Sequence, residues 1–256
     1  MKTARFVVVL VVLLLMPCSL VAAPHHKALS ALPDLLDEDT NIEEEVEEPP
    51  EVPTYDPLEP MNRFFFEVND RLYFWVLKPV SKGYSWLLPE ELRECIGSFF
   101  QNIGFPITFL NAALQADGGK MLKATERFLI NSTIGVYGLV DVAGQEFGIP
   151  PQRADFGQTL GRWGIGEGIY LCWPIVGPSN IRDSLGLAVD SVANPLPYVY
   201  DDRIIDLALY SSSKVNSLSL NPDLYEDLKR YSLDPYVASR QAYIEYRRGR
   251  LAQKDN

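Results

Sequence analysis

The most crowded run of apolar residues lies between Asp56 and Pro79, in the sequence DPLEPMNRFFFEVNDRLYFWVLKP. Successive side chains of an α-helix point about 100° apart, so these residues surround the helix axis instead of forming one stripe. Polar residues such as Glu67 and Arg71 interrupt the run, and no stretch reaches the roughly 20 apolar residues that cross a bilayer. The pattern predicts a helix in a membrane interface, at the rim of a membrane-seated domain, or else the core helix of a soluble all-α domain.

Helical spacing of apolar residues continues after Pro79 and indicates a mainly α domain. It predicts a helix from Pro89 that buries Leu92, Cys95, Ile96, Phe99 and Ile103 and ends at Gly104 and Pro106. Further helices are predicted over Ile107–Ala116; over Lys120–Thr133, with Met121, Leu122, Phe128 and Leu129 inward; from an N-cap at Ser179 to Val192; over Asp202–Val215; and from a cap at Asp234 through PYVASRQAYIEYRRGRL. The last helix ends in Arg247, Arg248 and Arg250, where cations complement the helix dipole or meet anionic lipid head groups.

Glycine-rich segments separate some of these helices. Ile134–Gly148 places Gly135, Gly138, Gly144 and Gly148 between apolar residues, which favours a tight hairpin with positive φ over a regular helix. Such a hairpin is either a moving part or a buried turn. The second segment, Asp155–Gly168, lacks the Gly-Lys-Ser/Thr ending of a phosphate loop, so close packing between helices explains its glycines better.

A polar stripe follows the helix predicted over Asp202–Val215. Arg203, Asp206, Tyr210 and Lys214 share one side of it at about 100° per residue, and apolar residues cover the other side. The stripe is either an ordinary solvated face or the lining of a polar conduit.

The first residues carry an export signal. Lys2 and Arg5 precede the apolar run FVVVLVVLLLM, which is too short to span a bilayer and is typical of a secretory signal peptide. Cys18 stands where a lipoprotein cysteine would be acylated, although Pro17 precedes it, and an ordinary cleavage site would follow Ala23. We predict a signal peptide over 1–23, or 1–17 if Cys18 is lipidated, an acidic Pro-containing linker over 24–55, a helical domain over 56–251 and a tail over 252–256.

The acidity of the chain is concentrated in the predicted linker. The formal net charge is −11, and 12 of the 34 acidic residues lie between Asp34 and Glu59, where there is no base. From Pro60 onward, 20 bases nearly balance 22 acids. We therefore expect an extended, self-repelling spacer. The domain lacks the basic stripe that nucleic-acid binding requires.

Candidate catalytic chemistry is sparse. Both histidines, His25 and His26, precede the domain, which removes a Ser-His-Asp or Cys-His centre and any histidine metal site from it. We expect no enzyme activity, no metal and no cofactor. Cys95 and Cys172 either bridge in an oxidising compartment or remain two free core thiols.

Five blocks of sequence, in this order, resemble the MlaA (VacJ) family of outer-membrane lipoproteins: DPLEPMNRFFFEVND, LKPV, NSTIGVYGLVDVAG, DFGQTLGRWGIGEGIYLCWPIVGPSNIRD and LDPYVASRQAYIEYR. The resemblance runs from Asp56 to about Arg247. It implies a ring of helices with a central amphipathic channel, seated in the inner leaflet of the outer membrane on the periplasmic side. Phospholipids that have strayed into the outer leaflet would pass through it to a periplasmic carrier protein, and a trimeric porin would hold the ring.

The resemblance also implies roles for particular residues. A hairpin beside the channel would comprise Gly135, Gly138, Leu139, Val140, Asp141 and Gly144, and a membrane-embedded belt would comprise Phe64, Phe65, Phe66, Tyr73, Phe74 and Trp75. Cys18 would be the lipid anchor. The polar stripe of Arg203, Asp206, Tyr210 and Lys214 would line the channel and lower the cost of carrying a head group past hydrocarbon. The alternative function is a non-catalytic structural protein that bridges the envelope through its acidic spacer.

Overall fold

A computed structural model of the protein describes residues 55–194 and 203–252. Before the strands lie α1 (Glu59–Leu72), a π-helix (Tyr73–Leu77), α2 (Lys78–Leu87), α3 (Glu90–Ile103), α4 (Phe105–Leu114), α5 (Gly118–Thr133), α6 (Val142–Gln145) and α7 (Phe156–Arg162). Strands β1 (Tyr170–Trp173) and β2 (Gly177–Asn180) precede α8 (Ile181–Ala193), α9 (Arg203–Leu220), α10 (Leu224–Tyr231) and α11 (Pro235–Ala252). The predicted mainly α fold is confirmed. The signal peptide, Cys18 and the spacer up to residue 54 fall outside the described residues.

The aromatic run forms one long helical segment with a local change of pitch. Pro60 lies in the first turn of α1, where its missing N–H costs no hydrogen bond. Over the π-helix the bonding shifts, and the backbone N–H of Lys78 donates to the carbonyl of Tyr73. Pro79 follows at once and cannot donate to a carbonyl in the preceding turn, which fits a π-type turn at this point. No helix among the described residues is both long enough and apolar enough to span a bilayer.

The helices α3, α4 and α5 follow the predicted order but differ at their boundaries. The predicted start of α3 and its end at Gly104 are confirmed, but of the five residues predicted to be buried only Cys95 is buried and the other four are half-buried. Pro106 does not mark the end of α3 and instead lies in the first turn of α4. The glycine pair Gly118-Gly119 opens α5, where the Asp117 carboxylate accepts a 3.0 Å hydrogen bond from the Lys120 backbone N–H.

The orientation predicted for part of α5 is wrong. Leu122 and Leu129 are 60% and 55% exposed, and they project from the surface instead of into the interior. The buried side of the helix carries Lys120, Ala124, Arg127 and Asn131. The spacing of apolar residues identifies the apolar side of a helix, but it does not show whether that side packs against the rest of the protein or faces its surroundings.

The sequence did not predict the two strands, which form an antiparallel hairpin. Tyr170 pairs with Asn180 and Trp173 with Gly177. Ile175 and Gly177 have φ values of 70° and 92°, so the turn uses the left-handed region in which glycine is favoured. The cap of the next helix is also shifted by one residue from the prediction. Asn180, and not Ser179, accepts the hydrogen bond from the backbone N–H of Asp183.

Close backbone packing joins α7 to α8. A Cβ atom added at Gly186 would lie 2.2 Å from the backbone nitrogen of Gly157, so neither helix has room for a side chain at the crossing. The predicted packing role also holds for Gly161, whose added Cβ would lie 2.8 Å from Leu251. It does not hold for Gly164 and Gly168, which have positive φ, or for Gly166, which has open space around it.

The C-terminal helix α11 begins as predicted, because Asp234 accepts hydrogen bonds from the backbone N–H groups of Tyr236 and Val237. Its arginines are not free for lipid head groups. Arg247 is buried and lies 2.7 Å from both Asp155 and Asp183.

The other two arginines of α11 are also engaged with protein groups. Arg248 pairs with Glu167 at 2.8 Å, and Arg250 donates to the Arg153 carbonyl. The three cations therefore fasten α11 to the preceding elements.

A small aromatic core fixes the hairpin against α1 and α11. Tyr170, Cys172 and Tyr236 are buried together, with Phe65 and Phe66 of α1 packed against them. Cys172 is a free thiol, which excludes the alternative of a bridge to Cys95, and burial raises the pKa of this thiol to about 11.

Amides of α1 bind the same hairpin. The fully buried Asn62 donates to the Tyr170 carbonyl at 3.1 Å and accepts from the Cys172 N–H at 2.9 Å. Two turns later, Asn69 donates to the Trp173 carbonyl at 2.8 Å and accepts from the Ile175 N–H at 2.7 Å. The two amides therefore satisfy hydrogen-bonding groups of the backbone of β1 and of the turn that follows it. In a larger sheet, a third strand would bind these groups.

Candidate functional site

A polar cavity of about 480 Å³ lies between α3, α5 and α9. Its wall includes small and amide side chains, among them Ser98, Gln101, Asn102, Asn131, Gln152, Ser213, Asn216 and Ser217. Phe105 and Phe128 add an apolar portion and stack with ring centroids 4.2 Å apart. The cavity thus offers hydrogen-bonding groups and apolar contact side by side, as a site for an amphipathic molecule would require.

An ion pair on this wall holds the segment around α6 in place. Arg127 of α5 donates to both carboxylate oxygens of Asp141 at 2.8 Å, and it also donates to the Ile149 carbonyl. Asn131 donates to the same carboxylate at 3.0 Å. Asp141 in turn caps α6 by accepting from the Gly144 N–H at 3.0 Å. One guanidinium therefore fastens both ends of the segment from 141 to 149.

The electrostatics of Asp141 follow from these contacts. Burial alone would raise the pKa of its carboxyl group, but hydrogen bonds from Arg127, Asn131 and Gly144 outweigh burial and hold the pKa below the usual range of an aspartate. Asp141 therefore stays ionised at neutral pH and keeps the charge of Arg127 compensated.

The predicted glycine hairpin is a compact series of turns, with no strand pairing, between α5 and α6. Gly138 has a φ of 86°, as predicted, and its N–H donates to the Asn131 carbonyl at 2.8 Å. Val136 and Tyr137, with φ values of 51° and 58°, share the left-handed conformation, which is unfavourable for a β-branched residue such as valine. The turn therefore holds backbone strain next to the cavity.

Close contacts explain two of the glycines in this turn. A Cβ atom added at Gly135 would lie 2.3 Å from the Val140 carbonyl oxygen, and one at Gly138 would lie 2.5 Å from the side chain of Asn102. Asn102 lines the cavity from α3, so the turn rests directly on the cavity wall. Leu139 and Val140 are half-buried, and of the six hairpin residues implied by the resemblance, Asp141 lines the cavity itself.

The predicted polar stripe of α9 reaches the cavity at one position within the described side chains. Lys214 lines it, with its ammonium 5.4 Å from the centre of the Tyr210 ring, while Tyr210 itself lies outside the lining. The side chains of Arg203 and Asp206 fall outside the described part of the structure.

The six residues of the implied belt differ in exposure. Phe64 and Trp75 are 61% and 77% exposed, and Phe65, Phe66 and Phe74 are half-buried. Tyr73 is buried, and its hydroxyl donates to the Pro222 carbonyl at 3.2 Å. Tyr73 therefore cannot contribute to a lipid-facing surface. Trp86 of α2, which the belt did not include, is more exposed than any of the six.

Sequence reasoning missed Arg127, Asn131 and Arg153 as cavity residues. Arg127 and Asn131 follow Ala124 at helical spacing along one face of α5. If Leu122 and Leu129 are assumed to point outward, the sequence predicts that this polar face is the buried one. No local signal marks Arg153, because the loop from 151 to 153 reaches the wall through the tertiary fold alone.

Comparison with known proteins gives consistent matches over most of the chain. The sequence profile of the family described as MlaA lipoprotein matches residues 54–250. A protein of Rickettsia conorii is 36% identical over 80% of this chain and 81% of its own length. The intermembrane phospholipid transport system lipoprotein MlaA of Haemophilus influenzae is 30% identical over 74% of this chain and 76% of its own length.

One solved structure has a similar fold. It comes from work on the structural basis for maintenance of bacterial outer membrane lipid asymmetry. With a TM-score of 0.63 and 29% identity, the alignment covers 75% of this chain and 97% of the other.

Proposed function

Because this chain belongs to the MlaA lipoprotein family, we propose that it is a passive conduit that removes mislocalised phospholipids from the outer leaflet of the outer membrane. It passes them to a periplasmic carrier protein. Relatives bear the name of an intermembrane phospholipid transport lipoprotein, which supports a role in such a system at the cell envelope. Seating in the inner leaflet, a trimeric porin partner and an anchor at Cys18 belong to the same proposal.

One observation carries the proposal: α5 turns its apolar side outward and its polar side toward the interior. Its leucines face outward, while Arg127 and Asn131 face inward and line the cavity. In water this arrangement exposes apolar surface at a cost of roughly 25 cal/mol per Å². If the outer surface of α5 lies among acyl chains, this cost disappears. The polar interior then supplies the hydrogen-bonding groups that the surrounding hydrocarbon lacks.

The mechanism follows from the cost of moving a head group through hydrocarbon. Each polar group that enters an apolar medium without a hydrogen bond costs about 2–7 kcal/mol. The amides, hydroxyls and cations of the cavity wall offer replacement contacts, and the acyl chains stay against apolar side chains. No bond is made or broken, so the proposal assigns no catalytic residue, and the direction of flow follows the carrier's uptake.

Blocking the cavity tests this function. Ser217 lines the cavity from an exposed position of α9, so Ser217→Trp fills the passage without disturbing a buried contact. The full chain is produced in a Gram-negative strain that lacks its own relative, and outer-leaflet phospholipid is measured by its accessibility to added phospholipase in intact cells. We expect Ser217→Trp to raise outer-leaflet phospholipid as much as loss of the protein does.

Matched variants make the result decisive. Ser211→Trp lies on the same helix but outside the cavity lining, and it should behave as the parent protein does. Gly138→Leu, which collides with Asn102, should also raise outer-leaflet phospholipid. Normal asymmetry in a Ser217→Trp protein that is folded and present in the envelope contradicts the conduit. If deletion of Asp34–Val52 abolishes function while both blocking variants retain it, the protein is instead a structural bridge.

A further inference from the structure

The charge of the cavity differs in sign from the charge of the chain. Among the described residues, the ionisable side chains on its wall are Arg127, Asp141, Arg153 and Lys214. They sum to +2, in a protein whose formal net charge is −11. Most of the net negative charge of the chain comes from the segment between Asp34 and Glu59.

The charges of Arg127 and Asp141, which form the buried ion pair, cancel. Asp141 accepts from Arg127 at 2.8 Å and from Asn131 at 3.0 Å, so its oxygens are already engaged. An ammonium group entering the cavity would therefore find no available carboxylate among the described lining residues.

Arg153 and Lys214 are available to bind an anion, whereas Arg127 is already paired with Asp141. They approach the cavity from separate elements, the loop from 151 to 153 and α9, and both side chains are exposed. Neither forms an ion pair with any described side chain, and Lys214 has only the ring of Tyr210 nearby, at 5.4 Å. Two uncompensated cations that line one cavity favour an anion inside it.

We propose that the cavity prefers phospholipids whose head group carries net negative charge, with Arg153 and Lys214 as the residues that set this preference. The inference rests on the proposed function and names its substrate class. A phosphodiester with an uncharged alcohol is attracted by both cations. A zwitterionic head group brings an ammonium into a positive site that has no free carboxylate to receive it. The volume of about 480 Å³ lies within the range of pockets that enclose small molecules, which suits a head group.

The test compares two lipids that differ only in the head group. The full-length protein in mild neutral detergent is titrated with phosphatidylglycerol and with phosphatidylethanolamine, each carrying the same fluorophore on one acyl chain. We expect the parent protein to bind phosphatidylglycerol about fivefold more tightly at low ionic strength, and the difference should shrink in high salt because exposed cations are screened. Arg153→Gln/Lys214→Gln should bind both lipids equally.

The matched control removes the same amount of charge elsewhere. Lys123→Gln/Arg230→Gln also lowers the net charge by two but changes residues outside the cavity lining, and it should keep the preference. Equal binding of both lipids by the parent protein overturns the charge preference and leaves the conduit standing. Binding of neither lipid overturns both. Full displacement of labelled lipid by inorganic phosphate assigns the cavity to free phosphate and also overturns the inference.

Discussion

Arg127 and Asp141 meet at the base of the glycine turn, and Nη2 of Arg127 lies 2.8 Å from each carboxylate oxygen of Asp141. The two residues are 14 positions apart and belong to different elements, since Arg127 lies in α5 and Asp141 ends the turn. Their pairing sets the position of the strained residues Val136 and Tyr137 relative to the cavity. The stability of the turn should therefore depend on this pair.

Asp141→Asn should destabilise the protein while keeping the shape of the cap. Asparagine still accepts from the Gly144 N–H, but the buried guanidinium of Arg127 loses its counter-charge. We expect the free energy of unfolding to fall by about 3 kcal/mol, measured by urea unfolding in detergent with circular dichroism. Glu146→Gln, on an exposed neighbour without an ion pair in the described structure, should change it by less than about 0.5 kcal/mol. Equal midpoints for both variants contradict a structural role for the pair.

Asp183 should make stability depend on pH in the acidic range. Burial alone would raise the pKa of its carboxyl group, but hydrogen bonds from Arg247 and Tyr243 outweigh burial and hold the pKa below the usual range of an aspartate. Because the folded pKa is the lower one, the stabilisation is present above about pH 3.8 and is lost as the pH falls through the folded value. Unfolding midpoints measured from pH 7 to pH 2.5 should fall less steeply for Asp183→Asn. The same slope in both proteins would mean that other carboxylates dominate acid unfolding.

Gly186 should not tolerate a methyl group. An alanine Cβ would lie 2.2 Å from the Gly157 nitrogen, and both partners are helix backbone that cannot move aside independently. We expect Gly186→Ala to lower the free energy of unfolding by about 3 kcal/mol or to prevent folding. Gly166→Ala is the comparison, since nothing lies near its added Cβ, and thermal unfolding should leave it close to the parent. A stable Gly186→Ala protein would show that α7 and α8 separate easily.

Trp75 and Trp86 should contact acyl chains if the exposed aromatic surface is seated in lipid. Their side chains are 77% and 85% exposed. In proteins that keep one tryptophan, reconstituted into vesicles with brominated acyl chains, fluorescence of either residue should be strongly quenched. A single tryptophan at position 217, facing the cavity, should be quenched much less. Equal quenching at all three positions contradicts this seating.

Membrane retention should depend on both Cys18 and the exposed aromatics. Cys18→Ala should remain partly with the membrane fraction after a high-salt wash, because the exposed side chains of Phe64 and Trp75 would still bury apolar area in the bilayer. Adding Phe64→Ser and Trp75→Ser should release the protein into the soluble fraction. Complete release by Cys18→Ala alone would assign retention entirely to the acyl anchor.

The sequence predicts helices better than it predicts their environment. The limits of α3 and the cap of α11 follow from apolar spacing, proline and Asp234, which act locally. The outward orientation of Leu122 and Leu129 does not follow from local signals. The spacing of apolar residues along a helix is the same whether that side packs against protein or against lipid. The hairpin of β1 and β2 was missed because its strands are four residues each and one is GPSN, which lacks β-branched or aromatic residues.

The candidate site was predictable only in part. Glycine spacing pointed to the turn that contains Gly138, and helical phase selected Lys214, which lines the cavity. Arg247 shows the limit, since a cation near a helix end reads as a surface residue until Asp155 and Asp183 come to it from 92 and 64 positions away. Arg153 likewise gains its place from the tertiary fold.

The binding of Asn62 and Asn69 to the β-hairpin has a kinetic consequence. A lone two-stranded hairpin is marginal in water, and the partners of Asn62 are 108 and 110 positions further along the chain. Neither side can form its contacts until the chain past Ile175 is available, so this junction cannot nucleate from the first part of the chain alone. Contacts of such separation slow folding, and the first two-thirds of the chain must be shielded from aggregation until its last third arrives.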